Sequence, residues 1–222
     1  TNELDFYNSI DQKLSMLEDP NKPMIVSISY NTDLLAMENL FPMVSRWIEF
    51  ARTRKNLIIE IRTKSSFFHS IKDMKPSKSI ILSWTLSPEE ICKEYEIGAP
   101  PLLKRLNAVS NALDKGWRVR LCFDPILLIN NWETIYNQFI DDVFSQIKTD
   151  KLRDVTIGVF RMNKDYFNRI RKRESKSALY YKNYVIEEGT VTLEKNERQE
   201  ALNKIERKIG HYLPEDKILM WS

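Results

Sequence analysis

The sequence predicts an α/β fold built on a parallel sheet, either open or curled into a partial barrel. Three observations support this prediction: short apolar runs recur along the chain, segments with helical spacing separate them, and polar residues close each run. The clearest run is LIIEIRTKS at Leu57–Ser65, in which a near-continuous apolar stretch stops at Arg62. Such a run is typical of a strand that is covered on both faces, as strands in parallel sheets are.

Five strands of this kind are predicted before the C-terminal part of the chain, with helices between them. The strands are residues 24–29, 57–62, 79–84, 118–123 and 155–160. The helices are residues 5–17, 34–52, a short piece at 67–74, a segment that starts at Ser87-Pro88, and residues 102–115, 132–147 and 166–173. Residues 178–194 alternate in polarity and contain Glu188-Gly189, which predicts a β-hairpin; a helix at 201–212 and a strand at 217–221 follow.

Length and composition exclude several classes of protein. At 222 residues the chain fits one large domain or two small ones, and no run approaches the roughly 20 apolar residues of a membrane helix. Cys92 and Cys122 are far apart and outside any metal-binding pattern, which predicts a reducing, cytoplasmic setting without a structural zinc ion. The absence of GxGxxG and P-loop patterns argues against a Rossmann dinucleotide site and a Walker-type NTPase.

One stretch is clearly basic, although the net charge of +3 is small. The residues that follow Arg161 include many cations and only two acidic residues, Asp165 and Glu174. The cations are Lys164, Arg169, Arg171, Lys172, Arg173, Lys176 and Lys182. A basic surface of this kind can track the phosphates of a nucleic acid, and it can equally be the solvated side of a helix. Composition alone leaves both interpretations open.

Polar side chains follow each predicted strand at the point where the strand ends. They are Tyr30, Asn31, Thr32 and Asp33; Arg62, Thr63, Lys64 and Ser65; Ser83 and Thr85; Asp124; and Arg161. Because the carboxyl ends of adjacent parallel strands meet at one edge of a sheet, these side chains are expected to converge on a small-molecule site.

The residue types in this set indicate what the site could hold. Lys64 and Arg161 can bind a carboxylate or a phosphate, the hydroxyl groups can donate or accept hydrogen bonds, and the carboxylates can take ribose hydroxyls or an ammonium group. Two alternatives are structural. Asp33 can cap the helix that begins at Leu34, and Asp124-Pro125 can be a simple turn.

Three segments of the sequence carry a family resemblance. They are IIEIRTKS from Ile58, ILSWTLSPEEICKEYEIGAPPLLKRLNAVSNALDKGWRVRLCFDPIL from Ile81, and DVTIGVFRMNKDY from Asp154. Together they resemble the spore photoproduct lyase-like family of radical S-adenosylmethionine (SAM) proteins. The resemblance implies a single domain over residues 1–222, a partial (β/α) TIM-type barrel with a C-terminal hairpin and helix. It also implies SAM and a [4Fe–4S] cluster as cofactors, and a radical reaction that in the type enzyme repairs a thymine photodimer in DNA.

The resemblance assigns cofactor-binding roles to three strand-end residues. Lys64 matches the lysine that contacts the methionine carboxylate of SAM, and Ser83 matches a serine that also faces SAM. Asp124 matches a position beside the adenosine.

The resemblance also implies substrate contacts. Tyr30 stands at the position of the hydrogen-donating cysteine and is the candidate catalytic residue. Thr32 and Asp33 match residues near the lesion, and Arg161 is a further candidate for substrate binding. The hairpin over residues 180–193 matches the one that contacts DNA in the type enzyme, so DNA or another nucleic acid is the expected partner, and no membrane is expected.

Two departures from the family pattern limit these expectations. The CxxxCxxC motif that ligates the cluster is absent, and Cys92 and Cys122 are predicted on a helix and inside a strand, so the chain offers no cluster ligands. We therefore expect a chain truncated at its N-terminal cluster-binding unit and inactive by itself. In addition, Tyr30 replaces the cysteine, and the hairpin lacks the Gly-Arg-Tyr-Gly signature that grips the lesion.

Three hypotheses follow. The first is the major part of a spore photoproduct lyase-like radical SAM protein, a DNA repair lyase that uses SAM and a cluster supplied by a missing N-terminal segment. The second is a cluster-free nucleotide or nucleic-acid binding module without catalysis, and the third is a purely structural domain.

Overall fold

The structure is a computed structural model that describes residues 3–19, 22–29, 32–174 and 177–221. The chain divides into two compact units. The first comprises Thr1–Trp84, Leu103–Arg120 and Asp150–Leu152, and the second comprises Thr85–Leu102, Leu121–Thr149 and Arg153–Ser222.

Six strands form the main sheet, in the order β1-β2-β3-β4-β5-β9. Their bounds are β1 Met24–Ile28, β2 Leu57–Thr63, β3 Ile80–Thr85, β4 Val119–Ile126, β5 Asp154–Val159 and β9 Ile218–Trp221. The strands run parallel, with Met24 opposite Leu57, Ile59 opposite Ile80, and Val155 opposite Ile218. The parallel α/β fold predicted from the apolar runs is therefore confirmed.

Helices connect the strands. They are α1 Glu3–Ser15, α2 Leu34–Met37, α3 Met43–Arg52, α4 Glu89–Tyr95, α5 Leu102–Asp114, α6 Trp132–Gln146, α7 Lys164–Arg173 and α8 Lys195–Ile209. Every residue of β3 and β5 is buried, as expected of strands covered on both faces. No helix in the described ranges is long and apolar enough to cross a membrane.

A second, three-stranded sheet contains the C-terminal hairpin. Its strands are β6 Arg161–Asn163, β7 Val185–Glu187 and β8 Thr190–Thr192, and β8 pairs antiparallel with both of the others. The turn between β7 and β8 has Glu188 and Gly189 at positive φ, as the Glu-Gly pair predicted. The predicted hairpin and the helix after it are confirmed, although residues 178–181 form a 3-10 turn instead of a strand.

The helix predicted over residues 34–52 is wrong in one respect, because two helices occupy this range. α2 ends at Met37 and the chain turns over residues 38–41, after which Pro42, which lacks a backbone N–H, directly precedes α3. The Glu38 carboxylate then accepts hydrogen bonds from the backbone N–H groups of Val44 (2.7 Å) and Ser45 (2.9 Å), which cap the start of α3. A side chain outside the helix thus replaces the usual cap.

Other boundaries also differ from the prediction. The helical piece predicted at 67–74 is a single 3-10 turn, Phe67–Ser70. Asp124-Pro125 is not a turn after β4, because the strand continues through a cis peptide bond to Ile126. Arg161 does not close β5 but begins β6, the first strand of the second sheet.

Candidate functional site

In the first unit, the Asp33 carboxylate joins the residues that follow β1 to the end of β2. Its Oδ1 accepts hydrogen bonds from the Ala36 N–H (3.1 Å) and the Thr63 hydroxyl (2.8 Å). Its Oδ2 accepts the backbone N–H of Lys64 at 2.7 Å. The interpretation of Asp33 as the cap of α2 is confirmed, and the same carboxylate also fixes the backbone on which Lys64 stands.

Residues on both sides of Lys64 are anchored by side-chain hydrogen bonds. The Thr63 hydroxyl accepts the Ser65 N–H at 2.8 Å, and the Ser65 hydroxyl accepts the Phe67 N–H at 3.0 Å. The buried indole of Trp84 donates its Nε1–H to the Ser65 carbonyl at 2.9 Å. Lys64 is therefore a half-buried cation between two buried residues whose hydroxyl groups are hydrogen-bonded.

A buried polar cluster lies on β2, β3 and β4 of the same unit. The Glu60 carboxylate accepts a hydrogen bond from the Ser83 hydroxyl (2.7 Å) and forms an ion pair with Arg120, with an N–O distance of 3.0 Å. All three residues are buried. Removing one partner of such a pair leaves a charge buried, which typically costs about 3–5 kcal/mol.

This cluster restricts what Ser83 can do toward a ligand. Because its hydroxyl hydrogen is donated to Glu60, the Ser83 oxygen can only accept a hydrogen bond from another group. A carboxylate is an acceptor and cannot be bound in this way, whereas an ammonium group can. The role of Ser83 in cofactor binding stays a prediction.

Sequence reasoning did not single out Glu60 or Arg120, although a signal was present. Each is a charged residue inside an apolar strand segment, in LIIEI and RVRLCF. A charge at such a position requires a buried partner. The strand alternation predicts that Glu60 and Arg62 point to one face of the sheet, and Arg62 lies directly opposite Ser83.

In the second unit, two predicted site residues bind each other. The guanidinium of Arg161 faces the Asp124 carboxylate in a fork, with both N–O distances at 3.1 Å. The Asp124 side chain is 8% exposed and that of Arg161 is 32% exposed. The paired charges compensate one another, so Arg161 offers an anion less net charge than a solvated arginine would.

Gly158 on β5 makes room for this ion pair. A Cβ atom added there would lie 2.7 Å from Arg161 Nη1 and 3.0 Å from Asp124 Oδ1. Because real Cβ atoms do not approach other atoms so closely, a larger residue at this position would shift the Arg161 side chain. The glycine thus leaves room for the ion pair as it stands.

Each unit also contains a cavity near strand ends. In the second unit a cavity of about 680 Å³ adjoins the last residues of β5 and β9; it is lined by Val159, Arg161, Glu187, Glu188, Thr190, Thr192, Arg198 and Trp221. In the first unit an apolar groove of about 580 Å³ runs between α1 and β1, and Thr32 lies at its margin. Substrate binding by Thr32 stays a prediction, as it does for Asp33 and Arg161.

Tyr30, the candidate catalytic residue, lies outside the described residues. The two cysteines are buried: Cys92 on α4 donates its S–H to the Ser87 carbonyl (3.3 Å), and Cys122 lies within β4. In the part of the chain that the structure describes, no three His, Cys, Asp or Glu residues are arranged to hold a metal ion.

The fold and the polar strand ends define a parallel α/β protein with its candidate ligand-binding groups at the carboxyl ends of its strands. The family model for spore photoproduct lyase matches residues 12–221. The chain therefore belongs to the spore photoproduct lyase family. A comparison with curated proteins gives no match.

Solved structures of spore photoproduct lyase share this fold at low sequence identity. The complex with dinucleoside spore photoproduct gives a TM-score of 0.84 at 16% identity, over 96% of this chain and 64% of that chain. A double mutant with bound AdoMet and dinucleoside spore photoproduct gives a TM-score of 0.85 at 16% identity, over 97% of this chain and 65% of that chain. The chain thus spans about two thirds or slightly less of the length of these structures.

The Asp33 contacts generate a stability prediction. Asp33→Ala removes a helix cap and two further hydrogen bonds to a carboxylate, so the free energy of unfolding should fall by about 2 kcal/mol. Asp33→Asn should lose roughly half as much, because an amide oxygen can still cap α2 while the amide NH₂ opposes the Lys64 N–H. Urea unfolding measures both, with Asp73→Ala, at an exposed residue, as the control. An Asp33→Ala variant as stable as this control would contradict the assigned contacts.

Proposed function

We propose that this chain is the SAM-binding part of a spore photoproduct lyase-like radical SAM protein that acts on DNA. Membership of the family supports the proposal. The observation that carries it is Lys64, a cation at the carboxyl end of β2 whose backbone N–H is held by Asp33 at 2.7 Å. A fixed cation at a strand end of a parallel sheet is suited to binding the anionic group of a small molecule.

Lys64 is proposed to bind the carboxylate of the SAM methionine moiety. The backbone on either side of it is fixed through Thr63 and Ser65, so little backbone entropy is lost when a ligand binds. Ser83 can accept a hydrogen bond only, which makes it suited to the ammonium group and not to the carboxylate. When bound at a reduced cluster, SAM supplies the radical that starts the reaction of this family.

The residues of this chain do not fit a [4Fe–4S] cluster. A cluster that opens one iron to SAM needs three thiolates, whereas the chain has two cysteines, both buried and on different elements. We propose that the thiolates come from a polypeptide segment outside these 222 residues. Within this proposal the chain provides ligand binding and substrate positioning, and it does not deliver electrons.

DNA is the proposed substrate class. Three of the solved structures with this fold contain dinucleoside spore photoproduct, which is derived from DNA. Tyr30 replaces the hydrogen-donating cysteine expected from the family pattern, so we propose that the hydrogen-transfer step differs from that of the type enzyme.

A second candidate function is a nucleotide or nucleic-acid binding module without catalysis. The absence of any thiolate set favours it, because every other feature of the strand ends would serve binding alone. In this case Lys64 would bind a phosphate or carboxylate in a site that never carries out radical chemistry.

Binding measurements test the assignment of Lys64. The chain should bind SAM, and Lys64→Met should weaken binding about tenfold through loss of a charged hydrogen bond. Binding of 5′-methylthioadenosine, which lacks the amino-acid moiety, should be unchanged by the same substitution. Calorimetry or equilibrium dialysis provides the affinities, with Lys93→Met on α4 as the control. Equal losses for both ligands, or no loss for SAM, would contradict a carboxylate contact at Lys64.

Iron reconstitution distinguishes the two candidate functions. Under anaerobic conditions this chain alone should take up no stoichiometric [4Fe–4S] cluster, because its two thiols are buried. Joined to a segment with CxxxCxxC, it should take up about four iron atoms and cleave SAM to 5′-deoxyadenosine if it is enzymatic. Iron uptake without SAM cleavage would favour the binding module, and four iron atoms bound by the chain alone would refute the assignment of external ligands.

A further inference from the structure

Helix α7 carries the most basic stretch of the protein on a firmly anchored support. Its buried residue Phe167 packs against the rings of Phe160, Tyr180 and Tyr184, with centroid distances of 6.2, 5.7 and 5.5 Å. Burial also raises the pKa of the Tyr184 phenol, which remains neutral at any physiological pH. The apolar side of α7 is therefore covered by its own unit, and the opposite side faces solvent.

The solvent side of α7 combines one aromatic residue with several cations. Tyr166 is 51% exposed, and the Arg169 guanidinium carbon lies 5.6 Å from its ring centroid. Arg173, one turn after Arg169, continues this stripe, and Lys172 lies beside it at helical spacing. All three cations are exposed.

The number of cations exceeds what helix stability requires. Basic residues in the last turn interact favourably with the helix dipole, but the effect is confined to that turn. Lys164 and Arg169 lie before it, and the ten residues of α7 contain one acidic residue, Asp165. The ion pair of Arg173 with Glu174 (2.8 Å) is exposed at 74% and 47%, so solvent screening leaves it weak and easily replaced.

We propose that Tyr166, Arg169, Lys172 and Arg173 form a binding surface for single-stranded nucleic acid. The cations would neutralise backbone phosphates, and the exposed Tyr166 ring, with the Arg169 guanidinium nearby, would stack on an unpaired base. The inference deepens the proposed function, since it assigns a contact for DNA outside the strand-end site. It does not depend on Lys64 or on SAM.

The same features argue against a membrane as the partner. A helix that binds a lipid surface inserts its apolar face, whereas the apolar face of α7 is packed against Phe160, Tyr180 and Tyr184. An exposed tyrosine within a row of cations is instead typical of surfaces on which bases stack. Duplex DNA offers no accessible base face along its length, so a single strand is the expected ligand.

Fluorescence anisotropy with a labelled mixed-sequence single strand tests this surface. The variant R169A/K172A/R173A should bind at least about tenfold more weakly at low salt, and the slope of log K against log salt should fall by roughly 2. The control K55A/K104A/K115A removes three exposed lysines elsewhere and changes the net charge equally, from +3 to 0. It should retain most of the binding.

Tyr166 provides a second, charge-neutral test. Tyr166→Ala should weaken binding about fivefold or more, whereas Tyr166→Phe should bind like the wild type because the ring is kept. Thermal unfolding of each variant verifies that the fold is intact.

The results of these experiments test the α7 surface independently of the proposed function. The proposal is supported if the protein binds the single strand more strongly than duplex DNA or anionic vesicles, and if only the α7 variants lose this binding. Equal losses in the two triple variants, preference for duplex or vesicles, or no binding by the wild type at low salt would overturn it. None of these results alters the Lys64 test, which uses SAM without nucleic acid.

Discussion

The position of Lys64 depends on one carboxylate. Asp33 accepts hydrogen bonds from Ala36, Thr63 and Lys64, and so fixes the start of α2 and the end of β2 through the same two oxygens. The Trp84 indole secures the following residue, Ser65, from β3. The backbone that bears Lys64 is thereby fixed, so an anion that binds this cation does not have to order the backbone as well.

Beneath this turn, the sheet of the first unit has different chemistry on its two faces. Residues such as Ile59 and Ile61, which point to one face, are completely buried and apolar. On the other face the buried pair of Glu60 and Arg120 holds the Ser83 hydroxyl. A sheet that only stabilised the protein would gain more from apolar residues there, because buried ion pairs contribute little net stability. A gain in stability therefore does not explain the Glu60–Arg120 pair.

The sequence predicted the features that follow from local patterns. The apolar runs identified the parallel strands, and the Glu188-Gly189 pair identified the hairpin turn, because burial and turn chemistry are both visible in short segments. Contacts between distant residues were not predictable: Glu38 caps α3 across the break at Pro42, and Asp124 pairs with Arg161 from 37 positions away. Such partners become apparent only when the strands are aligned. The charges of Glu60 and Arg120 stand out within their apolar segments, but the sequence does not show that they pair with each other.

In the proposed function, Lys64 binds the carboxylate of SAM. Acylation of lysines by an amine-reactive reagent, quantified residue by residue by mass spectrometry, tests it directly. SAM should slow modification of Lys64, 5′-methylthioadenosine should not, and Lys93 on α4 should react at the same rate throughout. An unchanged rate at Lys64 in the presence of bound SAM would contradict this contact.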